Sequence, residues 1–221
     1  MATSYPRIAG QSLDRLAGLS DGIFAVAMTL LVLDLRVPGA EVLHGEHPLW
    51  THGSFASERD ALEALMHIVP RVLPYVMSFM TLGIFWVGQQ TQFNHFVHAD
   101  RHLTWIHLGF LAAVTLLPFS TGFLAEFATY RLPFLVYWLN LLLLGVVLRI
   151  SLAYAARHSL IKPEATGDVL AVQRRRIVFY QVCYAAAMLL CVVNTYVSMV
   201  ALVLLQLASA AAPPIPPFDR F

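Results

Sequence analysis

The sequence predicts an all-α integral membrane protein with six transmembrane helices, and three observations carry that expectation. Hydrophobic residues make up 58% of the 221 residues and charged residues 12%, against about 45–50% and about 25% in soluble domains. Apolar runs recur at about 20 residues, the length of helix that crosses a hydrocarbon core of roughly 30 Å. The basic residues concentrate between the runs, above all in RHSLIKPEATGDVLAVQRRR at 157–176. With a formal net charge of +1, the chain carries no general attraction for nucleic acid, and its basic residues are informative about topology instead.

The first span is predicted at 16–37. The segment before it lacks the short apolar core and small-residue cleavage site of a secretory signal, so this span is expected in the mature protein. A polar loop at 38–63 follows, with His44, His47 and His52 as solvated groups that titrate near neutral pH. The second span is predicted at 68–96, the third at 103–123 with His107 and Pro118 inside it, and the fourth at 132–154 with Asn140. A single helix over the remaining run, 177–212, would reach about 54 Å, far beyond a bilayer. Splitting it at Asn194 and Thr195 gives spans at 177–193 and 196–212. Residues 213–221 are proline-rich and cannot continue a helix, so they form a tail to a single domain at 1–212. Cys183 and Cys191 fall in an apolar run and read as small buried hydrophobes rather than a disulfide framework. The basic linker at 157–176 belongs in the cytoplasm by the positive-inside rule, and six spans then put both termini there too, in a multi-pass protein of the cell membrane. No internal repeat is visible.

The first span, RLAGLSDGIFAVAMTLLVLDL, carries Arg15, Ser20, Asp21 and Asp34. Between the two aspartates lie only twelve residues, about 18 Å of helix, too short to cross alone. Ser20 as a helix N-cap with Asp21 in the first turn is one account. The length of the run favours another, in which the helix starts near Leu16 and carries Ser20 and Asp21 a turn inside the boundary, where an ionisable group needs a partner. At 100° per residue Val26, Thr29 and Leu33 share a stripe with Gly22, while Asp21 points the opposite way and Arg15 lies too far around to pair with it.

This segment resembles the first-helix motif Arg-x-x-x-Phe-Ser-Asp of the lysosomal and prokaryotic potassium channel family called transmembrane protein 175. Phe85–Trp86 late in the second span and LLPFSTGFLAEF at 116–127 agree with it. The motif corresponds to Arg15, Leu19, Ser20 and Asp21, with Leu19 in place of the phenylalanine. QQTQF at 89–93 stands where a His-His-Arg run is expected, so the usual histidine partner of the Ser/Asp pair is missing. The resemblance implies a homotetrameric cation channel whose first helices line a central pore, passing potassium better than sodium without a carbonyl filter. It implies a constriction at Val26 and Leu33 with Thr29 between them, a structural role for Ser20 and Asp21, and Trp86 as a donor to their network. Rings of Val and Leu offer a cation no ligands and act by narrowness and dewetting, so selectivity is expected to be modest. Leu30 becomes the tight ring if the helix turns by some 40°.

Other candidates are weaker. His95, His98 and His102 fall on one face only if a helix runs through all three, and a hydrated connection accounts for them better than a metal. His107 at membrane depth is either a functional group or a buried histidine bonded to a neighbouring helix. Asp34 with Arg36 marks the outer mouth, where carboxylates raise the local cation concentration. The rival class is a secondary transporter or proton-coupled cation exchanger using Asp21 and His107, but inverted repeats and broken midplane helices are not visible. No nucleophile–base pair or metal motif suggests an enzyme. The expected partners are copies of the same chain, the lipid bilayer and potassium ions as permeant, with no cofactor and no nucleic acid.

Overall fold

The computed structural model describes residues 12–35, 59, 62–165 and 167–211. Among them the chain is helical, with an isolated bridge between Phe96 and Ile161 as its extended pairing. Helix α1 runs Leu13–Leu30 and tightens into a 3-10 turn at Leu31–Asp34. Then come α2 (Val69–His95), α3 (Arg101–Thr115), α4 (Leu117–Glu126), α5 (Arg131–Arg157), α6 (Gly167–Leu189, with a 3-10 turn at Leu190–Val192) and α7 (Thr195–Ala211).

The ends of these helices follow from local chemistry. Ser12, not Ser20, caps α1, its hydroxyl accepting from the Arg15 backbone N–H at 3.3 Å. The first span therefore starts three residues earlier than 16, and its predicted end at Val37 lies outside the described residues, as do Arg36, the loop histidines 44, 47 and 52 and the tail 213–221. The predicted third span is two helices. Pro118 has no N–H and its ring crowds the preceding turn, so the chain leaves the α-helical ladder at Leu116, whose N–H turns to Ala113 at 3.3 Å, before α4 begins. The long last run breaks at 193–194, where the Asn194 side chain accepts from the Tyr196 N–H at 2.8 Å. Five helical units, α3–α4 counted as one, are long and apolar enough to cross a membrane, whereas α7 has 17 residues.

Helix α2 is central, packed against α1, α4, α5 and α7, while α5 carries α3, α4 and α6 on its other sides. Phe24 of α1 seats against Phe110 of α3 at 6.0 Å, and Phe110 meets Phe85 of α2 at 6.4 Å. Fully burying such side chains stabilises by roughly 1.5–3 kcal/mol each when the reference is water. Cys191 is buried and Cys183 only half-buried, so the pair is not uniformly interior as the apolar run implies.

At one end of the bundle Leu16, Phe93, Phe96, Leu103, Leu152 and Leu160 form a second apolar cluster. There the segment after α5 is stapled to the α2–α3 connection, with Val97 N–H on the Leu160 carbonyl and Lys162 N–H on the His95 carbonyl, both at 2.9 Å. Ser159 adopts φ 56°, the left-handed cap of α5, with the Leu160 N–H returning to the Ala155 carbonyl at 3.1 Å. Asp100 caps α3 through the Leu103 N–H at 2.7 Å and accepts from the Tyr154 hydroxyl at 2.6 Å. Burial pushes its carboxyl pKa upward, but the Tyr154 and Leu103 hydrogen bonds and the nearby His102 and His158 outweigh that and hold it below its ordinary value. Because α2 ends at His95 and α3 starts at Arg101, His95, His98 and His102 do not share a helical face.

Candidate ion pathway and its anchor

The two faces of α1 differ sharply. Leu16, Ser20, Phe24, Ala27 and Leu31 recur at near-helical spacing and are buried against α2 and α3. On the other side Val26 is 57% exposed and Leu33 62%, with Leu30 at 43% beside them. Thr29 is exposed on the same side and its hydroxyl donates to the Val26 carbonyl at 2.8 Å, which leaves the oxygen free to act as an acceptor. A groove of about 390 Å³ follows this side, lined by Gly18, Gly22, Val26 and Leu30 with Thr115 and Pro118 from α3 and α4. Val26, Thr29 and Leu33 thus lie within a broad exposed side of α1 that also carries Leu19, Asp21 and Val32.

Asp21 is held from α2. The Trp86 indole N–H and the Gln90 amide N–H both donate to the same carboxylate oxygen at 2.8 Å. Residues 86 and 90 are four apart, so they lie one above the other on a single helix face. Gln90 stands in the QQTQF run, where the resemblance leads one to expect a histidine, and it donates to Asp21. Sequence reasoning did not single it out: a glutamine in a polar run at the end of a span gives no periodic signal. Ser20 departs from the expected Ser/Asp network. It is fully buried, and its hydroxyl has no partner among the described residues. Arg15 and Leu19 are exposed, and Leu19 lines the groove on the exposed side of α1.

His107 resolves as the bonded alternative. It is fully buried, with Nδ1 3.2 Å from the Gln89 amide nitrogen and Nε2 2.9 Å from the Ser151 hydroxyl. With the Gln89 amide donating, Nε2 carries the ring proton and donates to Ser151. Phe93 and Phe96 lie 4.7 and 6.3 Å from the imidazole, sealing it against the apolar cluster. Gln89 and Gln90, adjacent in sequence, therefore serve two separate networks, one inside the subunit and one at its surface.

A further polar ladder crosses the bundle. Thr81 donates to the Met77 carbonyl at 2.9 Å and accepts from Tyr137 at 2.8 Å and from Gln206 at 2.7 Å, tying α2 to α5 and α7. At the far end of α1 the Asp34 carboxylate lies over Gly122 of α4, where an added Cβ would meet its oxygens at 2.9 and 3.0 Å. Arg71 and Glu126 form an exposed ion pair at 2.9 Å on that same side. Such a surface pair contributes about 0–1 kcal/mol. Among the described residues there is no cluster of three or more His, Cys, Asp or Glu arranged to hold a metal.

Residues 15–118 match a family model described as endosomal/lysosomal potassium channel TMEM175. The matched segment includes Ser20, Asp21, Trp86, Gln90 and His107. The chain is 36% identical over 113 residues to a potassium channel of Streptomyces collinus, covering 51% of this chain and 48% of that one. It therefore spans about half the length of that relative. It is 29% identical over 163 residues to a potassium channel of Chamaesiphon minutus, covering 72% and 70%. The fold is similar to the crystal structure of a lysosomal potassium-selective channel TMEM175 homolog from that organism, with a TM-score of 0.71, 22% identity, and coverage of 90% and 96% of the two chains.

Proposed function

We propose, from the match of residues 15–118 to the endosomal/lysosomal potassium channel TMEM175 model and the similarity to bacterial potassium channels, that the chain is a member of that family and forms a cation channel that passes potassium better than sodium, through a pore lined by α1 from each of four subunits. In this reading α7 completes six crossings as a short last span, and the termini lie in the cytoplasm with the basic linker. The observation that carries the reading is the division of α1 into a buried face and an uncovered apolar stripe. Lipid satisfies an exposed aliphatic face but not a hydroxyl at membrane depth, and four copies arranged with that stripe inward bring Val26, Thr29 and Leu33 to three levels of one axis, with the Thr29 hydroxyls turned from lipid toward the axis. Leu33 is the larger and more exposed of the two aliphatic residues and forms the tighter ring. Thr29 supplies the side-chain oxygens between the rings. Asp21, braced from α2, sets the tilt of α1 and so the width of the pore.

The transporter reading requires Asp21 and His107 to serve one binding site. The hydrogen bonds of the two residues belong to separate networks, which favours the channel.

Planar bilayers containing the purified protein test the proposal: potassium-dependent unitary currents are expected, whereas saturable counterflow without unitary currents overturns it. Leu33→Ala is expected to widen the constriction and raise sodium permeability relative to potassium by severalfold. Reversal potentials under bi-ionic conditions measure this, and an unchanged ratio moves the constriction to another ring.

A further inference from the structure

Helix α7 is short. Its 17 residues rise about 25 Å, whereas the 27 residues of α2 rise about 40 Å. Where α7 ends, α2 and α6 enclose a cleft of about 570 Å³, and Ser209 and Ala210 of α7 stand at its rim. Its walls are mostly apolar, from Phe79 down α2 and from Tyr184 down α6, and they lead to Gln92 and Arg176. From Phe79 to Gln92 is about 20 Å of helix, more than the thickness of one leaflet's hydrocarbon.

Among the described residues that line the cleft Arg176 alone is charged. It is half-buried, with its guanidinium 5.8 Å from the centre of the Tyr180 ring, which holds the cation at the mouth. Arg174 and Arg175 are exposed beside it and add positive potential at the same level. An apolar slot one leaflet deep, ending in a cation, is complementary to an acyl chain joined to a phosphate. Gly83 also lines it, and a Cβ there meets nothing within 4 Å, so the slot has unfilled width at its apolar end.

We propose that this cleft is a binding site for an anionic phospholipid from the leaflet at the basic end of the molecule, one acyl chain lying between α2 and α6 and the phosphate on Arg176. Occupancy joins α2, which braces Asp21, to α6. The site depends on the chain lying in a bilayer and not on what the pore conducts, so a silent pore with lipid bound leaves it standing.

Native mass spectrometry and thermal melts of the full-length protein, with phosphatidylglycerol against phosphatidylcholine as probes, provide the test. Saturable binding and a raised melting temperature are expected for phosphatidylglycerol over phosphatidylcholine. Arg176→Gln is expected to weaken phosphatidylglycerol binding roughly fivefold or more, the scale of one basic residue at a membrane surface, with Arg176→Lys retaining most of it and Arg174→Gln with Arg175→Gln losing less. Gly83→Phe fills the slot without changing charge and is expected to abolish both the bound lipid and the thermal shift. Equal binding of the two lipids, or a double Arg174/Arg175 variant as damaging as Arg176→Gln, overturns the site in favour of a diffuse surface potential. Dissociation of the oligomer by Gly83→Phe assigns the cleft to a second copy, and binding only after removal of residues 212–221 assigns it to the tail; either result overturns the proposal.

Discussion

Asp21 keeps a carboxylate inside the first span because two N–H donors from one neighbouring helix converge on a single oxygen. Hydrogen bonds to charged groups contribute about 1.5–3 kcal/mol, and the exposure of Asp21 places these at the low end. Gln90→Glu exchanges one donor for a like charge. We expect it to cost about 1–2 kcal/mol and lower the melting temperature by roughly 2–8 °C for a chain of this size, while Gln90→His, which keeps a ring N–H within reach, stays close to wild type. Equal melting of the two variants would show that the donor at 90 does not matter. Asp100 gives a pH dependence with a definite sign. Its folded-state pKa lies below the ordinary value of 3.8, so its contribution is fully present above about pH 4 and is lost as pH falls through the depressed folded-state value. The melting temperature of wild type should therefore exceed that of Asp100→Asn at neutral pH, and the gap should close as the pH is lowered below about 4. A gap independent of pH would mean that the Tyr154 and Leu103 bonds to Asp100 do not depend on its charge.

At the level of helices, what the sequence made legible was position along the chain, and what it hid was contact between elements. Apolar runs locate α1, α2 and α5 because hydropathy is a property of consecutive residues, whereas α6 starts at Gly167, ten residues before its apolar run, so that Arg174, Arg175 and Arg176 of the expected linker are helical. Pro118 stood inside the third run, yet the run remained apolar on both sides of it, so composition reads one span where the backbone makes α3 and α4. Trp86 came into view through the motif resemblance. Gln90 did not, and neither did the division of labour between Gln89 and Gln90, because which side of α2 faces α1 and which faces α3 is set by packing. Gly145 is another such contact: an added Cβ at this position of α5 would collide with the Gln181 amide of α6, which donates to the Leu141 carbonyl at 3.0 Å. Gly145→Ala is expected to cost about 1–3 kcal/mol through this overpacking. Gly145→Ala with Gln181→Ala removes the obstacle and should recover most of the loss in a double-mutant thermal cycle; strict additivity would show that the two residues do not meet.

For the molecule as a whole, burial is uneven in a way that suits an assembly. The best 18-residue window of α1 is 28% buried and that of α6 is 22%, against 44% for the α3–α4 unit and for α5. The described chain is therefore built around α2 and α5, with α1 on one flank and α6 on another. If four α1 helices close on one axis, cross-linking through cysteines placed at Leu33 should give dimers between subunits, whereas cysteines placed at Val182 of α6 should not. Dimers from Val182 and none from Leu33 would turn the subunit around and put α6 at the centre.

The bond that fixes α1 also sets an order of events during synthesis. Trp86 and Gln90 are separated from Asp21 by 65 and 69 residues. At a synthesis rate of about 5–20 residues per second, roughly 3–13 s pass between the appearance of the carboxylate and that of its donors. Throughout that interval the first span has neither Phe85 nor Phe110 to rest against, and its charge must be kept in water or among lipid headgroups. The bonds from Trp86 and Gln90 to Asp21, and the seat of Phe24 on Phe110, thus form only after α2 and then α3 have been made.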